Sequence, residues 1–432
     1  MVQALRFLHT ADWHLGKKLE HFSRLQEQEK VLEELIQLAD AHKVHAVLIA
    51  GDIFDSANPP HEAKQLFTRS LRKLAKDGER LVLAIGGNHD SPELLDALAE
   101  WGVSLGVLLV GMSNPEKWQL PTEQNNNSYL TVGKGYKVKK IASSLIEVEG
   151  EGWPFSCRFL LAPYLSLGRR LAHKVCEVPS SAQAYWTARW EECSQALNEG
   201  VPTVLLAHPY LTSLGQQIET EEDEAERSLS LGGVEGISLE AFPKGLAYAA
   251  LGHIHRSHLV REEPYPVAYA GSLLQYSFGD KAVKKTAFLV EVPKEGPASV
   301  KGVPEEGFSG GYKLYSLSAG TLEEAERVLE AHQEAYVELV WKGQQALPGE
   351  ARLALQERHQ RLIRIRLEYT VLSPWHSSNN PENLAHAENP SLLLAELFRE
   401  YYKKRKGQEP HEKIMELFQK VLEEAMSQTK NT

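Results

Sequence analysis

Ala46-Val47-Leu48-Ile49-Ala50-Gly51-Asp52 decides the fold. Five apolar residues run without a polar break and end in a glycine and an aspartate. A strand with one wet face alternates apolar and polar side chains, whereas an unbroken run of this length fits a strand buried on both faces. Comparable runs lie at Leu5–Leu8, Leu81–Ile85, Val204–Ala207 and Tyr248–Leu251. Helical patterns stand between them. Leu25, Leu32, Leu35, Ile36 and Ala39 share one face, and Ala63, Leu66, Phe67, Leu71 and Leu74 share another. Pro60 falls at the first turn of the second pattern, where proline is tolerated, and Gly78 is read as its stop. Strand–helix alternation over residues 1–285 gives an α/β class.

After residue 286 the pattern changes. Ala287–Val292, Tyr312–Leu317, Tyr336–Trp341 and Leu362–Leu367 read as strands, with Leu322–His332 and Gly349–Arg361 as helices. Residues 286–372 are therefore expected to form a smaller α/β domain. Residues 373–390 have no apolar period and read as a linker. Residues 391–432 carry two short helical patterns, one with Leu393, Leu394, Leu397, Phe398 and Tyr401 and one with Ile414, Leu417, Phe418, Val421 and Leu422. Two such helices bury little alone, so they either fold back on the body or bind a partner.

The chain has 432 residues, enough for two or three domains, and a formal net charge of −11. The sign speaks against a broad basic footprint for nucleic acid, although a metal centre brings its own positive charge to phosphates. Cys157, Cys176 and Cys193 show neither disulfide nor CxxC spacing, which fits a reducing, cytoplasmic setting. No signal-peptide pattern opens the chain and no apolar stretch is long enough for a membrane. The acidic run Glu219–Glu226 reads as a solvated loop, or as a gate beside an anionic substrate.

Chemistry sits where the apolar runs end. Asp12-Trp13-His14, Gly51-Asp52, Gly87-Asn88-His89-Asp90, His208 and Gly252-His253-Ile254-His255 each follow one. Loops leaving the carboxyl ends of buried strands converge on one crevice, so residues far apart in sequence can meet. The set is Asp12, His14, Asp52, Asn88, His208, His253 and His255. Carboxylate, amide and imidazole donors suit Mn²⁺, Fe²⁺ or Zn²⁺ better than Ca²⁺ or Mg²⁺. Seven ligands with a bridging carboxylate suit two ions about 3.5–4 Å apart. One ion is expected on Asp12, His14, Asp52 and His255, the other on Asp52, Asn88, His208 and His253. Asp52 is the bridge, and Gly51 lets the backbone close in. His253 and His255 would point the same way on an extended strand, so a turn at Gly252 is expected. His89 is not needed as a ligand. It is assigned as general acid, with Asp90 orienting and charging it. His9, His258 and Arg256 flank the motifs as supporting candidates. No GxxxxGK[ST] appears, so hydrolysis of ATP by this chain is unsupported.

His9-Thr10-Ala11-Asp12-Trp13-His14-Leu15-Gly16, Gly51-Asp52-Ile53-Phe54-Asp55 and Gly87-Asn88-His89-Asp90-Ser91 resemble the calcineurin-like metallophosphoesterases, and within them the SbcD-like nucleases. Two further segments resemble the latter specifically. One runs from Ala225-Glu226-Arg227-Ser228-Leu229-Ser230-Leu231-Gly232-Gly233 through Ala250-Leu251-Gly252-His253-Ile254-His255-Arg256; the other is Tyr269-Ala270-Gly271-Ser272-Leu273-Leu274-Gln275-Tyr276-Ser277-Phe278. The likeness is densest over residues 1–292. It implies a four-layer αββα core with a smaller capping domain and C-terminal helices. It implies a homodimer, assembled with an SbcC-like ABC-type ATPase into a heterotetramer through those helices. It also implies DNA as substrate in repair and recombination, cut with Mn²⁺ as a 3′→5′ exonuclease on duplex ends and an endonuclease on single strands and hairpins. The family's ligands fall on the same seven positions and its catalytic histidine on His89. For backbone-directed DNA binding the cation candidates are Arg69, Arg72 and Lys73, then Lys137, Lys139 and Lys140, then Lys281, Lys284 and Lys285. The other reading of the same centre is a small-molecule phosphodiesterase, which needs neither cap nor tethered helices. A third is a DNA-end-binding scaffold with a vestigial site, against which the intact ligand set speaks.

Overall fold

The computed structural model describes residues 3–111, 118, 120, 129–165, 181–197, 200–213, 216–217, 236–279, 284–343 and 347–368, with 398–399, 402–403, 409–415, 417–418 and 420 near the C-terminus. The chain divides into two compact units, Met1–Val340 with Leu347–Arg366, and Trp341–Ala346 with Leu367–Thr432.

The first unit opens with β1 (Ala4–Thr10), α1 (Leu25–Ala41), β2 (Ala46–Ala50), α2 (His61–Leu74), β3 (Leu81–Ile85), α3 (Pro92–Ser104) and β4 (Val107–Val110). These four strands are parallel neighbours in the order β1-β2-β3-β4. A second series follows: β5 (Leu130–Val132), β6 (Tyr136–Ala142), β7 (Leu145–Glu149), β8 (Cys157–Ala162), α4 (Ala182–Glu192), β9 (Thr203–Ala207), β10 (Tyr248–Leu251), β11 (His258–Arg261) and β12 (Val267–Tyr269). They form an eight-stranded sheet in the order β11-β12-β10-β9-β8-β7-β6-β5, parallel through β8, β9, β10 and β12.

Side chains alternate across each strand, and the alternation builds the layers. Phe7, Leu48 and Leu83 of the first sheet meet Phe159, Val204, Leu206 and Tyr248 of the second. Their neighbours Leu8, Val47 and Ile49 face the other way, onto Val31 and Leu35 of α1 and Phe67 and Leu71 of α2. Leu160, Leu205 and Ala249 likewise cover Trp186 and Trp190 of α4. The result is helix, sheet, sheet, helix. All of β2 and β9 is buried, as unbroken apolar runs require. Each fully buried Leu, Val or Phe contributes about 1.5–3 kcal/mol. α2 begins at His61 after Pro60 but ends at Leu74; Gly78 closes the short turn beyond it, at φ +96°.

One boundary moves. β13 (Ala287–Pro293), read from sequence as the first strand of the smaller domain, pairs antiparallel with β1 in register Ala4 to Pro293, and β14 (Ser299–Val303) pairs with β13. Both complete the first sheet, in the order β14-β13-β1-β2-β3-β4. A pairing partner so distant in sequence leaves no trace in local periodicity, which is why the pattern alone misplaced it. A separate three-stranded sheet, β15 (Leu314–Ala319), β16 (Tyr336–Trp341) and β17 (Leu362–Leu367), carries α5 (Leu322–Glu330) and α6 (Gly349–Arg358). Buried Arg24 and Glu27 at the start of α1 hold it. Arg24 grips both Glu27 oxygens at 2.6 and 2.9 Å, and Glu27 accepts from the Tyr312 N–H and the Tyr336 hydroxyl.

In the second unit, Phe398 and Phe418 stack with centroids 4.1 Å apart. The linker 373–390, most of 391–432, the run Glu219–Glu226 and Cys176 lie outside the described residues. No described helix is long and apolar enough to cross a membrane.

Candidate metal centre

β1, β2, β3, β9 and β10 end at Thr10, Ala50, Ile85, Ala207 and Leu251, one to three residues before Asp12, Asp52, Asn88, His208 and His253. Backbone bonds then splice the loops. Asp12 N–H donates to Gly51 O (3.0 Å), His14 N–H to Asp52 O (3.0 Å) and His253 N–H to the Asp12 carboxylate (3.0 Å). The splice requires a left-handed backbone at Asp12 (φ +52°), His14 (+45°), Asp52 (+50°) and His253 (+103°). Such conformations cost non-glycine residues about 1–3 kcal/mol and collect at functional sites. Gly51 is left-handed too, at φ +89°, and a Cβ there would stand 2.3 Å from His208 Nδ1. Gly252 serves differently from the expectation. The positive φ of the turn falls on His253, whereas a Cβ at Gly252 would stand 1.9 Å from Ala50 O. The glycine is there for close approach between the sheets.

The seven side chains meet. His14 Nε2 lies 2.8 Å from His255 Nε2 across 241 residues of chain, and Asp12 joins them within 4.8 Å. Asn88 Oδ1 lies 2.9 Å from both His208 Nε2 and His253 Nδ1. Asp52 Oδ2 stands between the two groups, 3.7 Å from His14 Nε2 and 3.5 Å from His208 Nε2. His208 donates its other nitrogen, Nδ1, to Ala50 O at 2.6 Å, which turns Nε2 inward.

The electrostatics are those of donors gathered for a cation. Burial, with Asp52 adding, pushes the Asp12 carboxyl up to about 7 against the pull of His208 and His255. Burial works against His208, yet Asp52 and Asp12 raise it to about 9. The same contact holds Asp52 well below the carboxylate range despite its burial. Burial lowers His14 to about 4. His14 Nε2 and His255 Nε2, within hydrogen-bond length at 2.8 Å, and the carboxylates of Asp12 and Asp52 beside them form a cluster of donor atoms that a divalent ion can share, and the mixture suits borderline ions. These residues fit two such ions.

His89 falls within 4.8 Å of His14 and Asp52 ligand atoms. Its backbone N–H donates to Asp52 Oδ1 (2.9 Å), and its ring Nδ1 bonds Asp55 O (2.8 Å). Asp90 stands otherwise than expected. Its buried carboxylate accepts from the backbone N–H groups of Gly87 (2.8 Å), Ile53 (3.1 Å) and Phe54 (2.9 Å). It clamps two site loops together, and the Asp55 carbonyl takes the orienting part assigned to it. Adjacent side chains on a sharp turn diverge, so Asp90 turns into the loops while His89 turns to the site.

Sequence reasoning passed over several neighbours. Gln28 on α1 donates to His14 O (2.7 Å) and Tyr276 Oη (2.9 Å) and accepts from Gly16 N–H (3.0 Å). A buried glutamine inside a helix pattern gives no signal. Tyr164 and Tyr210 bracket the His253 ring. Asp55 stood within a quoted motif without a role. Lys285, offered as a DNA cation, is buried and donates to His255 O (2.9 Å) and Ser272 Oγ (3.1 Å). Arg69, Arg72 and Lys73 pair with Glu29, Asp77 and Glu33, and Lys139 lies 3.5 Å from Glu147. Lys281 lies outside the described residues. His9 bonds Tyr248 Oη (2.8 Å) between the sheets, and His258 bonds Arg256 O (2.9 Å).

A family model, Calcineurin-like phosphoesterase, matches residues 5–257. The chain is 28% identical over 418 residues to the D subunit of the nuclease SbcCD from Bacillus subtilis (strain 168), covering 96% of this chain and 97% of that protein. It is 26% identical over 287 residues to the D subunit of the nuclease SbcCD from Escherichia coli (strain K12), covering 66% of this chain and 64% of that protein. With the same nuclease component of Rhodobacter capsulatus it shares 29% identity over 285 residues, covering 64% of this chain and 65% of that protein. The last two matches span just under two thirds of each relative.

Proposed function

This chain belongs to the calcineurin-like phosphoesterases, and on that premise we propose that it is a DNA nuclease that hydrolyses phosphodiesters with two Mn²⁺ ions. The observation that carries the reading is the meeting of His14 and His255, with Asp52 between them and the Asn88–His208–His253 group. The three relatives are named as nuclease subunits, which supports nucleic acid as the substrate class.

Asp12, His14, Asp52 and His255 would hold one ion, and Asp52, Asn88, His208 and His253 would hold the other. When bound, the ions supply Lewis acidity toward the phosphoryl oxygens and the attacking water. His89 holds its proton at Nε2 and delivers it to the leaving alkoxide as the P–O bond breaks. Its Nδ1 stays on Asp55 O, so the ring is aimed before substrate arrives. Asp90 keeps the loops of Asp52 and Asn88 in step through backbone bonds. Cleavage runs 3′→5′ on duplex ends and internally on single strands and hairpins. The sheet β15–β16–β17 with α5 and α6 is the cap, and residues 391–432 bind an SbcC-like ABC-type ATPase, in a heterotetramer built on a homodimer of this chain.

The test sets linear duplex DNA against a chromogenic phosphodiester, each with Mn²⁺, with and without the ATPase partner. Mn²⁺-dependent loss of DNA from its 3′ ends supports the reading. Turnover of the chromogenic ester alone would favour a small-molecule phosphodiesterase.

A further inference from the structure

We propose that Asp55 is a positioning residue that aims two imidazoles at once, His14 through its carboxylate and His89 through its carbonyl. The proposal rests on the reading of His14 as a metal ligand and adds the group that makes it one. His14 presents Nε2 to the centre, 2.8 Å from His255 Nε2. A ring that offers the Nε2 lone pair to a cation must carry its hydrogen on Nδ1. In the other tautomer an N–H points at the ion and blocks it.

His14 Nδ1 is fully buried and has no hydrogen-bond partner within ordinary length. The Asp55 Oδ1 carboxylate oxygen faces it at 3.6 Å, just beyond that length. An acceptor so placed favours the Nδ1–H tautomer, as carboxylates behind metal-binding histidines do. Lys17 Nζ lies 3.1 Å from the same oxygen and supplies a counter-charge from the solvent side. The backbone fixes the residue: Asp55 N–H donates to Leu15 O (3.2 Å), and Leu15 bridges to Phe54 beside it. The Asp55 carbonyl accepts from His89 Nδ1 at 2.8 Å. The short ladder between the loops after β1 and β2 thus sets both rings. Local spacing hid the role, because Asp55 meets His14 only once the two loops run side by side.

The test titrates Mn²⁺ alone into the metal-free full-length chain by calorimetry, with circular dichroism to confirm folding. Asp55→Ala is expected to weaken uptake of one ion by about 10–100-fold. Asp55→Asn keeps an acceptor oxygen and is expected to restore most of that loss. In ¹⁵N-histidine spectra the His14 Nδ1–H signature is expected to weaken in the alanine variant and persist in the asparagine variant. Wild-type affinity in Asp55→Ala, or equal loss in Asp55→Asn, overturns the proposal while leaving the metal reading intact. A wild-type chain that takes up no Mn²⁺ overturns both.

Discussion

Replacing Asp90 by asparagine tests the loop clamp. The residue is 1% exposed. Its Oδ2 accepts from Gly87 and Ile53, and its Oδ1 from Phe54. A carboxamide of the same shape keeps its oxygen for two of these donors. Its NH₂ group then faces the third, donor against donor. Bonds to a charged acceptor contribute about 1.5–3 kcal/mol each, so one lost bond and two weakened ones cost about 3–5 kcal/mol. Ile53 and Phe54 directly follow Asp52, and Gly87 directly precedes Asn88. The loss therefore falls on the distance between two metal-holding groups. We expect urea unfolding of the metal-free variant, followed by tryptophan fluorescence, to shift by that amount. Mn²⁺ uptake is expected to weaken with it. If stability and Mn²⁺ affinity both hold and only turnover falls, Asp90 acts on His89 after all, and the clamp argument is refuted.

His89→Gln is expected to keep both ions and bind DNA, while kcat falls about 10²–10⁴-fold; loss of metal in this variant would show His89 to be a ligand. Gly252→Ala places a Cβ 1.9 Å from the Ala50 carbonyl, where overpacking costs about 1–3 kcal/mol or more, and is expected to lower the thermal midpoint and Mn²⁺ occupancy together. Metal loading should release protons, because at pH 7 His208, raised to about 9, carries one and Asp12, raised to about 7, is about half protonated. Calorimetry in buffers of different ionisation enthalpy is expected to give roughly one to two protons at pH 7, falling as pH rises through 9; a pH-independent count would contradict the assignment of these two groups.

Strand ends and ligand types could be read from sequence for a shared reason. Buried parallel strands must be apolar throughout, so the first polar residues after them are conspicuous, as Asp52 is after Ala46–Ala50. What could not be read depends on pairings between distant segments. β13 joins β1 by an antiparallel register that local periodicity does not encode. The left-handed turn falls on His253 because Gly252 is already committed to the Ala50 carbonyl. Arg69 and Lys73 look like open cations until α1 brings Glu29 and Glu33 beside them. Asp90 and His89 are adjacent in sequence, yet the turn sends one into the loops and the other to the centre.

Anomalous diffraction at the manganese edge, from crystals of the chain grown with Mn²⁺, asks most directly whether one cradle holds a pair of cations. Two peaks about 3.5–4 Å apart, with Asp52 oxygen at both, Asp12, His14 and His255 at one and Asn88, His208 and His253 at the other, are the predicted result. A single peak, or manganese bound away from Asp52, would contradict it.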